Sequence, residues 1–521
     1  MTNDESVKPL LRLSALLCIC VPIICHVAWI DEPFEASMAG LSGAAYFGKA
    51  QHGFDQFGYL SLRGTPLLFH TNADSGSNVP YLNHPPLPHG LLRPFYLLLG
   101  KDEAALRVPI LILLILSLLG CALLLRVTGR DPELLWIATA LFATLPMLLV
   151  FGRSVDAPPF CLTAILWTML AWFSRDASRP VHRDWRFLVL AFTATLMDWF
   201  TFFVAPALLL DGLLFRSRTP NRLRDALAGM APFAAGALAF GVWVFVLAEL
   251  NQTEPLQHLL AMVPTHKMNN GVGQATAILS YGWRFFGAPV IVFSCIGLLC
   301  MARRLVRRQA QKLDRILVAL LITGLGPTLI FHERAAVHEF WMLTLSPALA
   351  IAAGMGLLWL RSAIESVAHH FKAHLIISTL LLLICSGGVW LGINEYHGFQ
   401  SDTFRRRGEA INTFATRDDV VLMPSALEAT RFYTDVPLAF NISSKDALRG
   451  ILTVLEPWQH HNGKLFFAVD DARAKEAAFV IHDSIPVLMA TNRRIPYDGT
   501  NMLSLVELNR HACFEWLRNN R

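Results

Sequence analysis

Three short stretches of an otherwise oily chain carry side chains whose types and spacing suit chemistry. The first is AWIDEPFEA, residues 28–36, where Asp31, Glu32 and Glu35 fall within five positions after an uncharged run of about twenty residues. A carboxylate placed there is suited to accepting a proton from an incoming nucleophile. The second is NHPP, Asn83 to Pro86. Two consecutive prolines fix φ and remove two donors, so this backbone is rigid, is not helix interior, and aims His84 at one place. The third is FHERAAVHEFW, with His332, Glu333, Arg334, His338 and Glu339 inside eight residues. Arg107 in KDEAALRVPI and Arg153 in FGRSVDAPP, with Asp156 close behind, complete the set. Arginine forks hold phosphate oxygens and a carboxylate takes a proton, so acid, histidine and arginine at one interface fit a reaction on an anionic, lipid-borne substrate. Plainer readings exist for each: Asp31 as a helix cap, Glu35 as support for a helix dipole, His84 as an interfacial residue and the arginines as snorkelling to headgroups.

These side chains need a membrane scaffold to bring them together. The 521 residues are 54% hydrophobic and only 16% charged, against about 25% charged in ordinary soluble proteins. Apolar blocks lie at 13–30, 108–125, 134–151, 157–173, 187–215, 226–249, 285–301, 316–331, 340–360 and 374–393. Most approach the roughly 20 residues that a spanning helix needs. Block 187–215 is too long for one span and carries Asp198, Trp199 and Pro206 in its middle, which predicts two short helices and about eleven spans in all. With the N-terminus cytoplasmic, the inside loops collect Arg126 and Arg130, Arg175 to Arg186, Arg216 to Arg224 and the run ARRLVRRQAQKLDR. That bias orients the chain and puts residues 395–521 outside. The net charge of +5 is then a matter of topology, and no nucleic-acid partner is expected. The first span is too long for a cleaved signal and has no small-x-small site before Asp31.

The expected organisation is a mainly α, polytopic membrane domain over 1–394, including a first outside loop at 31–104, and a small extracytoplasmic α/β domain over 395–521. In the loop, Pro33 suits a helix start, Glu35 its first turn, and Phe34, Met38, Leu41 and Ala45 recur as one apolar face, which predicts an amphipathic helix lying on the membrane surface. In the tail, DVVLM, PLAF, KLFFAV and VLMA read as strands, with helices at RRRGEAINTF and SSKDALRGILTVL. Eight of nine cysteines lie in or beside apolar spans and only Cys513 is in the tail, so no disulfide is expected there. His266 and Lys267 sit in a long glycine-bearing outside loop, and the sequons at Asn251 and Asn441 fall outside.

The order of several motifs resembles that of the C-type (GT-C) membrane glycosyltransferases. It runs from Asp31-Glu32 through HGFDQFGYLSLRGTPLL, YLNHPPLPHGLL and EAALRVPILI to FGRSVDAPPF, MDWFTFFVAPALLL and VHEFWMLTLSPALAIAAG, about three quarters of the chain. The nearest likeness is to bacterial members of the protein mannosyltransferase and aminoarabinose transferase superfamily. The resemblance implies an inverting transfer of a sugar from a polyprenyl-phosphate donor to a lipid, glycan or protein acceptor at the bacterial inner membrane. It makes Asp31 the base, with Glu32, Asn83, His84 and His338 lining the substrate site and Arg107, Arg153 and Arg334 available to the phosphate. His84 stands where aminoarabinose transferases carry lysine, as in the mannosyltransferases, and the MIR domains of eukaryotic members are missing. His84, His332 and nearby acids leave room for a divalent metal. A transporter or lipid flippase is the competing class, but it would place ionisable residues near the bilayer midplane, where only Asp198 and Asp211 offer themselves.

Overall fold

A computed structural model describes residues 7–71, 79–82, 84–129, 132–176, 180–215, 222–250, 271–367, 370–423, 428–439, 445–470, 492–498 and 501–519. Asn83, His266, Lys267, Asn251, Asn441 and the expected strand at VLMA lie outside them. By internal contacts the chain forms two compact units, the first made of Met1–Asp31, Asn83–Pro88 and Ala104–Gly398, the second of Glu32–Leu82, His89–Glu103 and Phe399–Arg521. This partition differs from a cut by chain order at 394/395, because most of the first loop clusters with the tail.

The first unit is helical. Among the described residues eight helices are long and apolar enough to cross a membrane, and three shorter apolar helices cover Pro132–Thr144, Trp185–Thr195 and Trp199–Phe215. The long block divides as its sequence predicts. Helix Trp185–Thr195 stops, Asp198 adopts an extended backbone and caps the 3-10 turn Trp199–Phe203, and helix Val204–Phe215 follows. The Thr201 hydroxyl bridges the break, donating to the carbonyls of Ala194 and Asp198 at 2.6 Å each. Helices Ala288–Val306 and Ser346–Glu365 meet at reciprocal glycines: a Cβ on Gly297 would lie 1.9 Å from the Ala352 carbonyl oxygen, and one on Gly356 2.2 Å from that of Phe293. Close backbone approach at small residues is how helices gain packing where water supplies no hydrophobic drive. The second acid of the split block is a structural pair. Asp211 takes a fork from Arg315 at 2.7 and 2.8 Å and the indole N–H of Trp172 at 2.9 Å.

The second unit is built on a five-stranded mixed sheet ordered β4-β3-β5-β7-β6, with β1 (Leu67–Phe69) and β2 (Val79–Pro80) as a separate antiparallel pair. Strand β3 (Val420–Leu422) lies parallel to β4 (Leu438–Ala439) and β5 (Leu465–Asp470), while β7 (Asn501–Leu508) is antiparallel to β5 and β6 (Asn492–Asp498). Alternation along the strands sends Val420, Leu422, Leu465 and Phe467 to a core with Leu448, Leu452, Trp458 and Phe514. Val421, Phe466, Ala468 and Leu505 face the other way, onto Ala410 and Ile411 of helix Thr403–Asn412. Three expected strands and both helices of the tail are present, and β6 and β7 are additions. Cys513 is buried in the first of these cores, and burial pushes its thiol up to about 12.

The loop helix departs from expectation. Residues 33–35 are not helical, and the helix begins at Met38 under Ser37, whose hydroxyl accepts the N–H of Gly40 at 3.0 Å. A serine cap outcompetes the proline start, because it satisfies an orphan donor of the first turn. Glu35 is therefore not in a first helical turn, and it is buried. The helix continues through a π segment, Gly43–Gly48, into Lys49–Phe57, and its core positions Ala44, Ala45, Phe47 and Ala50 are fully buried in protein. The strap at residues 33–35 is tied to the tail: Phe34 N–H donates to the Tyr433 hydroxyl at 2.8 Å, which donates to Glu103 at 2.8 Å, and Arg405 also donates to Glu103 at 2.7 Å. Lys49 is buried and donates to the Thr434 carbonyl at 2.8 Å, and burial, with Arg431 nearby, pushes its amine down to about 7. Tyr433→Phe is expected to lower stability by about 1–3 kcal/mol, read as a fall in thermal midpoint, because the Phe34 N–H and a buried Glu103 each lose a partner.

Candidate active site

The acid cluster begins where helix Val7–Ala28 ends. The last carbonyls of a helix lack intrahelical donors and carry partial negative charge. Here two arginines from distant sequence meet them. Arg153 donates to the Trp29 carbonyl at 2.6 Å, and Arg107 reaches the carbonyls of Trp29 and Ile30 at 3.4 and 3.3 Å. Both guanidiniums are buried. Arg153 also lies 4.4 Å from the centroid of the Tyr396 ring, and Tyr396 stacks on Trp29 at 4.1 Å. One turn back, the ring of His26 contacts the Leu149 carbonyl at 3.2 Å. The result is a rigid pedestal, and Asp31, the residue immediately after it, is exposed. Nε and Nη1 of Arg153 are buried without a hydrogen-bond partner among the described residues. Buried guanidinium donors of this kind are normally satisfied, so they are suited to an incoming anion or water.

The second cluster centres on His84. Its Nδ1 lies 3.0 Å from Oδ2 of Asp198, a fully buried carboxylate at the break in the split block. Asp156, also buried, caps helix Ala157–Ser174 by accepting the N–H of Ala157 at 2.7 Å, and its charge reaches His84. Residues 152–156 thus connect the two clusters, with Arg153 on the pedestal and Asp156 beside the imidazole. Burial works against protonation of His84, but the charge and hydrogen bond of Asp198, with Asp156 behind it, outweigh burial and hold the imidazole above its ordinary value. The pair therefore stabilises the fold fully below about pH 6.5 and loses that contribution as pH rises through the raised folded value.

His338 behaves oppositely. It stacks on Trp341 with ring centroids 5.9 Å apart, and Trp341 meets Phe200, two residues after Asp198, at 4.9 Å. Burial, then the charges of Arg334 and His84, push it down to about 4, so at neutral pH it is a neutral hydrogen-bonding group. Arg334 itself is exposed, in the short helix His332–Ala335. Glu32 is half-buried and opens the second unit. Among the described residues no three His, Cys, Asp or Glu side chains gather as a metal's ligand set.

Sequence reasoning missed Tyr396 and the pairing of Asp198 with His84. The only signal for Asp198 was a lone acid inside an apolar block. Tyr396 carried none beyond its position at the end of the last span.

No protein-family model matches the sequence, and no curated protein matches it. By structure the chain has the GT-C fold of membrane glycosyltransferases. It is similar to ArnT from Cupriavidus metallidurans, with a TM-score of 0.62 at 13% identity over 94% of this chain and 97% of that one. A structure of ArnT bound to undecaprenyl phosphate superposes with the same score at 11% identity. The oligosaccharyltransferase of Archaeoglobus fulgidus matches with a TM-score of 0.56 at 12% identity, over 91% of this chain and 71% of that one. The arabinofuranosyltransferase AftD from Mycobacteria matches with a TM-score of 0.52 at 14% identity, over 96% and 40%. At these identities the likeness is one of fold.

Proposed function

We propose that the chain is an inverting glycosyltransferase that moves one sugar from a polyprenyl-phosphate donor to a lipid, glycan or protein acceptor outside the cytoplasm. The observation that carries this reading is the pedestal: two buried arginines, Arg107 from helix Glu103–Arg126 and Arg153 from the turn after helix Pro146–Phe151, hold the carbonyls that follow the first helix, one with unused donors, and the next residue is the exposed carboxylate of Asp31. Asp31 takes the acceptor's proton as the acceptor heteroatom bonds to the anomeric carbon. The bond from that carbon to the phosphate oxygen breaks, and its electron pair stays on the phosphate. Phosphate is a good leaving group, so the protein's main contributions are positive charge at the departing oxygens and a base in reach of the acceptor. Arg153, Arg107 and His84 are assigned to the first task, with Arg334 at the exposed edge. Glu32 and His338 are assigned to the substrate's polar groups, and Asn83 to the same loop.

Two neighbours support the donor class, since ArnT is solved with undecaprenyl phosphate and the archaeal oligosaccharyltransferase with dolichol phosphate. The two acids that a transporter reading would use are both paired, Asp211 with Arg315 and Asp198 with His84. Membranes containing the chain, given a panel of labelled polyprenyl-phosphate sugars, should release polyprenyl phosphate and a labelled acceptor product. Consumption of no donor in the panel would remove the reading.

The same proposal puts the chain in the bacterial inner membrane with its N-terminus cytoplasmic and its tail outside. Cys513 is a poor reporter of this because it is buried. Lys464 is 58% exposed, so Lys464→Cys is expected to react with a membrane-impermeant thiol reagent added to intact cells. Labelling of that variant only after the membrane is opened would invert the topology.

A further inference from the structure

We propose that Asp198 is a positioning residue that holds His84 as an imidazolium directed at the donor phosphate, an assignment that rests on the glycosyl-transfer reading. A phosphate-binding cation is needed at neutral pH, and an isolated histidine, with an ordinary value near 6.5, supplies one only in part. Lysine and arginine have no such difficulty. The geometry around His84 resolves it. Pro85 and Pro86 fix the backbone that follows the histidine, and Oδ2 of Asp198 receives its Nδ1 at 3.0 Å.

Asp198 is itself held. Its Oδ1 caps Trp199, its carbonyl accepts the Thr201 hydroxyl at 2.6 Å, and its side chain has no exposed surface. A buried carboxylate without a cation is costly, and among the described residues its ion pair is with His84. The carboxylate thereby also fixes which ring nitrogen faces away from it.

The other groups around the imidazole act in known directions. Asp156, at the start of helix Ala157–Ser174, favours the charged form, and the buried Cys161 thiol follows one turn along that helix. His338, pushed down by burial and by the charges of Arg334 and His84, is neutral at pH 7, and Arg334 is exposed. The site therefore holds two histidines in different states, one charged beside two acids and one neutral against Trp341.

The test is binding of undecaprenyl phosphate, without a sugar, to the purified full-length protein from pH 6 to 9, alongside donor KM and kcat where transfer is measured. Asparagine caps a helix about as well as aspartate, so Asp198→Asn keeps the turn and removes the charge. In the wild type, affinity is expected to weaken as pH rises past neutrality. In Asp198→Asn that loss is expected at least one pH unit lower, appearing as a donor KM raised about tenfold at pH 7.5 with a smaller change in kcat. His84→Lys is expected to flatten the profile across the range, alone and combined with Asp198→Asn. An unshifted pH profile in Asp198→Asn, or a profile in His84→Lys that still follows the wild type, overturns the assignment. A wild type that binds undecaprenyl phosphate but consumes no sugar donor would instead defeat the glycosyl-transfer reading alone.

Discussion

Asp31→Asn is expected to reduce sugar transfer by about 10²–10⁴-fold while leaving donor binding nearly unchanged. Asparagine has the shape and polarity of aspartate but cannot take the acceptor's proton. Because Asp31 is exposed and stands after the pedestal, its replacement removes no buried contact, and stability should stay within about 0.5 kcal/mol of the wild type. Loss of transfer with normal folding and normal undecaprenyl-phosphate binding therefore isolates the proton step. Asp31→Glu keeps the base but moves it by one methylene, and its activity should fall between the two. Full transfer by Asp31→Asn would remove this residue from the base's role and turn attention to Glu32.

Arg153→Ala is the second large effect, and it differs in kind. The guanidinium donates to the Trp29 carbonyl at 2.6 Å, lies over Tyr396 and is buried, so truncation leaves that carbonyl only the longer contact from Arg107 and opens a gap beside the stacked aromatics. A stability loss of about 2–4 kcal/mol is expected from the lost charged hydrogen bond, the cation–π contact and the cavity together. Transfer should fall further than stability explains, by about 10²–10³-fold, if Arg153 serves the departing phosphate as proposed. Arg153→Lys separates the two roles. Lysine retains the charge but not the fork, so it should recover most of the folding and only part of the transfer rate. The pair of variants is read by thermal midpoint and by initial rate on the same preparation, and equal recovery of both by lysine would reduce Arg153 to a structural part.

The spans and the split at 187–215 were legible because apolar block length and a lone Asp-Trp pair carry them directly. The tail's first three strands were legible from alternation, and its two-sided core follows the same pattern of Val420 against Val421. The start of the loop helix was not, because local rules favoured Pro33 while the strap at 33–35 is held by Tyr433, some four hundred residues away. The site shows the same division. Asp31, His84, Arg107 and Arg153 stood out by type and position, yet nothing local says that Arg107 and Arg153 converge on the Trp29 carbonyl or that His84 pairs with Asp198 across 114 residues. Those are consequences of how the helices pack, and pairwise sequence spacing has no access to them.

The most direct test is the anomeric configuration of the product formed by wild-type protein from a polyprenyl-phosphate sugar of defined configuration. Direct attack by an acceptor deprotonated at Asp31 predicts a product of opposite anomeric configuration, formed together with one polyprenyl phosphate per sugar transferred. Retention of configuration would require two displacements at the anomeric carbon, and it would contradict the single-step reaction assigned to this site.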